Sequence, residues 1–550
     1  MLDNLDIKKI DDLPSARKCI LLLYNLVEEM NQENRELRDQ NQKLRDEISR
    51  LKGEQGKPDV KPDKKPPSSD CSSEKERHHP KKRKKKKKKN RIKIDRTQVL
   101  EVDPELLPED AEYKGIVDVV VQDLKVVTAN VLFLKKKYYS PSEGKIYLAK
   151  LPPGYDGEFG PGIKGIIIAM YFGYNMSEPN ILQFCLDSGA DISAGQISNF
   201  LIKKQEKFHE EKDAIYEAGL RSSPWQHIDD TGTRVKGKNQ HCQILCNPLY
   251  TAFFTTEKKS RLSVLDVLRN FRERTFLFND ETFTYLEVFK LPASVVHQLK
   301  TFPQEKEMGE EEFLKLLAER LPFLGPQQYK RVLESAAVAA YHAQMEFPII
   351  RLFICDDARQ FKILTRELSL CWVHDGRHYK KLSPFFYSHL QYVDNFLERY
   401  WKFYDKLLEY KKDPTVELKA KLNEEFDDLF STITGYDALD KRIAKTKAKK
   451  LSLLMVLEHP EIPLNNNPAE LGARKRVRKR DVSFGTRSND GIKAWDTFMT
   501  LAATAKKLKV SFYKYIYDRI SGGYEMPHLA DLIAERADKL QLGWSWSQGP

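Results

Sequence analysis

The stretch Phe347–Asp357, FPIIRLFICDD, runs through a nearly unbroken apolar segment into two adjacent aspartates. A short run this rich in isoleucine and phenylalanine predicts a strand buried on both faces. A carboxylate at the end of such a strand points into the crevice where open α/β sheets hold their ligands. The arrangement recurs upstream, where PWQHIDDTGTRV (224–235) carries Asp229 and Asp230 after an apolar opening. A third acid, Glu470, lies in NNNPAELGAR (465–474), where proline and alanine open a helix. Asp229, Asp356 and Glu470 stand 127 and 114 residues apart. Three carboxylates gathered from distant segments suit two divalent ions about 4 Å apart. Their hard oxygen donors favour Mg²⁺ or Mn²⁺ over zinc. Taken singly, each acid reads as readily as a loop or cap carboxylate, and spacing alone leaves the triplet open. Asp280, in FLFNDETF, also ends an apolar stretch and is a rival second acid.

Around these segments the pattern alternates between strands and helices. Strands are expected over 222–275, mainly helix over 276–345, a strand at 347–357, charged helices over 380–458, and helix again from about 490 to 540. Strands first, a further strand, then a late helix is the order of an RNase H-like α/β core. Here that core spans 222–520, with helical insertions at about 276–345 and 380–458 and a C-terminal tail at 521–550. Upstream, 161–221 has helix-turn-helix proportions. Ser193 is placed to cap its second helix, which would present Gln196, Asn199 and Lys203 to a DNA groove. Plain helix packing explains the same pattern equally well. Residues 97–160 read as a small β-rich module.

The beginning of the chain is different in kind. Over 13–52, Ile20, Val27, Asn34, Asn41 and Ile48 recur every seven residues and interlock with Leu23, Met30, Leu37, Leu44 and Leu51. These are the a and d positions of a parallel two-stranded coiled coil, with the two asparagines setting register at some cost in stability. The alternative is an amphipathic helix packed on the chain's own globular part. Residues 53–96 are rich in Gly, Pro, Ser and Lys and read as a disordered basic linker. Between Lys81 and Arg96, twelve basic residues and one acid carry +11 of the net +12. The rest of the chain is thus nearly neutral. Lys81, Lys82 and Arg83 begin a tract suited to non-specific phosphate binding.

At 550 residues and 41% hydrophobic content the chain can bury cores for several domains. Seven cysteines without framework spacing argue for a reducing compartment. No apolar run reaches membrane-spanning length, and the start lacks a signal-peptide apolar region. Secreted, membrane-embedded and disulfide-stapled classes are therefore set aside.

Three motifs together resemble the DDE transposases of bacterial insertion sequences. They are HIDDTGTRVKGKNQHC (227–242), then LFICDDARQF (352–361) with LCWVHDGRHYKKL (370–382), then IPLNNNPAELGARKRVRKRDVSFGTRSNDG (462–491). The similarity is to the insertion-sequence sixty-six family, in its longer subgroup with paired aspartates at both sites. It runs in order from about residue 160 to 520 and includes TLAATAKKLKVSFYKYIYDRI (500–520). The resemblance implies that Asp229, Asp356 and Glu470 are the catalytic acids and hold two Mg²⁺ (or Mn²⁺) ions per site, with Asp230 and Asp357 as second choices. The CWVH that follows Asp356, and not Asp280, sets Asp280 aside. Cys371 and His374 fit a Cys-x-x-His pattern, but two residues cannot complete a tetrahedral zinc site, so a supporting role is expected. Arg474, Arg476, Lys479 and Arg480 would lie beside scissile DNA; an exposed basic helix face is the plainer account of them. Many relatives carry a cysteine-bearing zinc ribbon before the core. Residues 97–160 contain no cysteine, so the shape is expected without zinc.

The implied protein is a transposase that cleaves and joins DNA by two-metal phosphoryl transfer. Its implied partners are transposon ends, target DNA, a second copy or a higher oligomer, and accessory proteins, with no membrane. The implied setting is the bacterial cytoplasm, at the nucleoid. Two other readings stand beside it: a DNA-binding protein that has lost catalysis, and an RNase H-like nuclease. A zipper-type regulator fits less well, because its basic region precedes the zipper whereas this tract follows it beyond a proline-rich break.

Overall fold

The computed structural model describes residues 12–51 and 94–547, apart from 104, 106, 109, 110 and 156. Lys81, Lys82 and Arg83 lie outside the described residues. The chain opens with one continuous helix, α1 (Leu13–Leu51). Residues 97–160 depart from the expected β-rich module. Their regular strands are the antiparallel pair β1 (Lys137–Ser140) and β2 (Lys145–Leu148). Upstream of β1 the alternating Val117, Val119 and Val121 stay exposed. Among the described residues no neighbouring strand takes up their backbone groups, and period-two patterning alone does not make a sheet.

The helical module follows the sequence closely. Helices α2 (Glu178–Asp187) and α3 (Ala194–Ile202) are each opened by a serine that accepts a backbone hydrogen bond. Ser177 takes Asn180 N–H and Ser193 takes Gln196 N–H, at 3.4 and 3.2 Å. A longer helix, α4 (Glu206–Arg221), leads into the sheet.

That sheet is mixed and five-stranded. Its strands are β3 (Trp225–Val235), β4 (Lys238–Cys246), β5 (Thr251–Thr256), β6 (Leu352–Cys355) and β7 (Glu367–Leu370), in the order β5-β4-β3-β6-β7. The first three form an antiparallel meander, and β6 and β7 add in parallel. Lys236 and Gly237 turn the β3–β4 corner with both φ angles positive, the two-residue turn that matches strand twist. The parallel strand β6 is buried at every residue, as a strand covered on both faces must be.

Two helical stretches interrupt the sheet order. Four helices between Asp280 and Ala343 separate β5 from β6. After β7 come α5 (Trp372–Lys380), α6 (Tyr387–Tyr410), α7 (Val416–Leu429) and α8 (Asp437–Lys447). The chain then returns through α9 (Asn467–Ser483) and α10 (Asn489–Lys507). Helix α9 crosses the sheet at close range: a Cβ on Gly472 would stand 2.7 Å from Ile244 Cγ2. From 521 to 547 the chain packs against the body. Helix Leu529–Leu540 lies on α4, and Trp546 stacks on His459 with ring centres 3.6 Å apart.

Candidate active site

The site is assembled by register. In the parallel pair, Trp225 lies opposite Leu352, Gln226 opposite Phe353 and His227 opposite Ile354. Two further steps of the same register set Asp229 level with Asp356, on strands about 4.8 Å apart. Asp356 follows the last residue of β6, and Asp229 lies just past the end of the β3–β6 pairing, where β3 still pairs with β4 through Ile244.

Helix α9 brings the third acid. Its N-cap residue, Asn466, does not cap the helix with its own side chain. That side chain reaches to β3: Oδ1 accepts from His227 Nδ1 at 2.9 Å, and Nδ2 donates to Ile228 O at 2.8 Å. Burial pushes His227 down to about 3, so its ring is neutral and fit to donate. Asn466 is thereby fastened beside Asp229, one helical turn before Glu470.

The electrostatics separate the members of each aspartate pair. Asp229 accepts a hydrogen bond from Asp230 N–H at 2.8 Å, and Asp356 accepts one from Ala358 N–H at 3.1 Å. Neither forms an ion pair with a described residue. Burial, and then the charges of Asp356, Asp230 and Glu470, push Asp229 up to about 7. Burial also raises Asp356, against the opposing charge of His374. Their neighbours are neutralised. Asp230 pairs with Lys259 at 2.8 Å and accepts from Gln360 at 3.0 Å. Asp357 is held by Lys449 at 2.7 Å and Lys362 at 2.9 Å. Burial alone would raise Asp357, but these lysines keep it below the usual carboxylate range. Glu470 is gripped at both oxygens by Arg377, at 3.2 and 3.1 Å.

Among the described residues, no three His, Cys, Asp or Glu side chains already form a metal-binding cluster. The chemistry of Asp229 and Asp356 nonetheless suits a hard cation. They are oxygen donors without cationic partners, buried together where like charge is costly. Glu470 could join them by releasing Arg377. A cavity of about 660 Å³ opens beside Asp356 and Asp357, with His374, His378, Lys445 and Lys449 on its walls.

Cys371 is tied into the backbone around it. Burial pushes the Cys371 thiol up to about 12, and its Sγ accepts from His374 N–H at 3.4 Å and Asn466 N–H at 3.3 Å. The cysteine caps α5 and ties it to the start of α9.

The basic run on α9 divides. Arg474 is exposed, and Arg480 is half-buried with Nη1 on Gly232 O at 2.6 Å. Arg476 and Lys479 face inward, which corrects their assignment to a DNA surface. Arg476 is fully buried, paired with Asp496 at 3.1 Å and bonded to Thr255 Oγ1 at 2.8 Å. Lys479 donates to Tyr171 O at 2.7 Å, and burial pushes it down to about 6. A helix lying flat on a sheet must bury one side, whatever residues that side carries. Gln196, Asn199 and Lys203 line a cavity of about 940 Å³ between α3, α4 and the C-terminal helices.

Residue-by-residue reading missed Arg377, Asn466 and His227. Each adjoins a quoted acid or lies within a quoted motif. What could not be read was that Asn466 and His227, 239 residues apart, are partners.

The fold and site thus define a mixed α/β protein with half-buried aspartates near the end of its parallel strands. Residues 348–494 match the profile of the Transposase IS66 family. The chain belongs to that family. It is also similar to uncharacterized protein y4jO of Sinorhizobium fredii, at 35% identity over 324 residues, which cover 58% of this chain and 99% of that protein. Among the described residues no helix is long and apolar enough to cross a membrane.

Proposed function

We propose that this transposase-family protein is a DDE-type DNA transposase with an RNase H-like core, acting in the bacterial cytoplasm at the nucleoid. The observation that carries the reading is the β3–β6 register, which sets Asp229 level with Asp356, with Asn466 fastening the start of α9 beside them. The antiparallel meander followed by two parallel strands supports the RNase H-like assignment.

Asp229, Asp356 and Glu470 would hold two Mg²⁺ ions, which supply charge neutralisation of the attacking and leaving oxygens. The chain's own residues do the rest. Asp230 and Asp357, already neutralised by lysines, keep their charge from adding to the cluster's. Arg377 holds Glu470 until the site closes. His378, Lys445 and Lys449 line the side on which a phosphodiester strand would lie, and Arg474 extends the basic surface. Water attack at phosphorus breaks the P–O3′ bond at the element's end and leaves a 3′-hydroxyl. That hydroxyl then attacks a target phosphodiester and displaces its 3′-oxygen. The basic tract from Lys81, Lys82 and Arg83 adds salt-dependent, sequence-independent attraction. A second copy joins through α1, and accessory proteins or higher oligomers are compatible with the same chemistry.

The test uses labelled duplexes taken from the DNA flanking the protein's own coding sequence, with Mg²⁺ or with chelator. Strand cleavage at a fixed position, abolished by chelator and absent on an RNA–DNA hybrid of the same sequence, is expected. Binding without cleavage in Mg²⁺ and Mn²⁺ would indicate a non-catalytic DNA-binding protein. Preferential cutting of the hybrid would indicate an RNase H-like nuclease.

A further inference from the structure

The helices inserted after β7 contain two N-termini that lack caps of their own. Helix α6 begins after Phe386 and α8 after Tyr436, and neither aromatic side chain offers an oxygen to the first free N–H groups. Residues of α1, more than 350 residues upstream, accept from N–H groups at both of these starts. Glu28 accepts from Phe385 N–H at 2.8 Å, from Phe386 N–H at 3.0 Å and from His389 Nδ1 at 3.1 Å. Asn25 accepts Asp437 N–H at 3.1 Å and returns its amide to Gly435 O at 3.0 Å. Tyr24 stacks on Phe386 with ring centres 4.2 Å apart, and Arg35 reaches Ser383 O at 3.2 Å. Glu28 is only 8% exposed, the one buried charge on the described part of α1, and His389 beside it is 1% exposed. A carboxylate at a helix N-terminus also meets the favourable end of the helix dipole.

These contacts come from one stripe of α1. At 3.6 residues per turn, Asn25, Glu28 and Arg35 lie about a third to half a turn from the a and d residues, and Tyr24 flanks that stripe. The a/d stripe is left open, from Val27 at 41% exposed to Leu51 at 80%. Asn34 and Asn41, at a positions, turn their amides back to Met30 O and Leu37 O of the same helix.

We propose that α1 is a two-faced connector: its Tyr24–Glu28 face is clasped by the inserted helices of its own chain, while its a/d face pairs with α1 of a second copy. The occupant of the open face is committed by the heptad spacing, by the two asparagines and by the opposite face being already filled. Each catalytic module is then held rigidly against the dimer axis and does not trail from a tether. The inference rests on the coiled-coil dimer proposed above and not on the phosphoryl-transfer chemistry.

The experiment reads amide hydrogen exchange and sedimentation on the full chain, without DNA. Glu28→Ala is expected to speed exchange at Phe385 and Phe386 at least tenfold while the dimer persists. Leu37→Lys with Leu44→Lys, which charges the a/d face without breaking the helix, is expected to give a monomer whose Phe385 and Phe386 protection is unchanged. Asn25→Ala is a milder second variant, expected to speed exchange at Asp437 alone. Unchanged exchange in Glu28→Ala overturns the clasp. Loss of protection in the monomeric double variant overturns its being within one chain, and loss of the dimer in Glu28→Ala overturns the separation of faces. Because none of these readouts is cleavage, failure here is distinguishable from failure of the enzymatic reading.

Discussion

Helices α9 and α1 are both long, highly charged and legible as helices, yet they are put to opposite uses. Helix α9 lies across β3 and β4, so close that Gly472 has no room for a side chain beside Ile244. Two of its charges are drawn inward, Arg476 to Asp496 and Lys479 to Tyr171 O, while Glu470 pairs with the exposed Arg377. Helix α1 touches the body along one narrow stripe and leaves its apolar seam in the open. Charge on a helix therefore says little about its exposure. What decides is how many sides the fold covers, and a helix on a sheet recruits its own basic residues as buried partners.

The largest expected effect lies where α9 meets the sheet. Asp229→Asn should lower DNA cleavage by roughly 10³-fold, on the scale of losing one group aimed at developing charge. DNA binding, measured by gel shift, should persist; cleavage at the parental rate would sink the assignment. Next comes Arg476→Leu, which strands Asp496 in the core. Unfolding in urea should show a loss of about 3 kcal/mol or more, the cost of breaking a buried ion pair from one side. An unchanged midpoint would mean that Asp496 is not paired as described.

At α1 the damage should stay local. A helix-interior proline costs about 3 kcal/mol, so Leu37→Pro should shift sedimentation from dimer toward monomer. The urea midpoint of the sheet body should stay where it was; a lower midpoint would show that the body depends on the zipper. Asp230→Asn should be smaller still, about tenfold in cleavage, as expected for a residue that supports a ligand without being one. A loss equal to that of Asp229→Asn would remove the distinction between the two aspartates. Smallest is the contrast along α9 itself. Arg474→Ala should reduce the salt dependence of DNA binding by about one phosphate contact, whereas Lys479→Met should leave it untouched. Equal losses would contradict the inward placement of Lys479.

Much of this architecture could be read from residue patterns. The heptads marked α1 to within a residue of its end, Ser193 announced the start of α3, and the apolar run before Asp356 announced β6. Each is a local signal, carried by residues within a turn or a strand of one another. The three acids were legible as candidates because two end apolar segments and one opens a helix. Where patterning failed, a neighbour was missing or unforeseen. Val117, Val119 and Val121 alternate as a strand should, but among the described residues no second strand lies beside them. The basic run after Glu470 reads as a surface, and only the sheet beneath it turns Arg476 and Lys479 inward.

Period and capping chemistry were enough to read which segments are helix or strand and which acids merit attention, because those depend on neighbours a few residues away. Which aspartate of each pair forms no described ion pair, that Asn466 bonds His227, and that Glu28 accepts from Phe385 and Phe386 were settled by the folded chain alone. The cause is physical: a buried polar group must find a partner wherever the packing supplies one, and packing joins residues with no regard for their distance along the sequence.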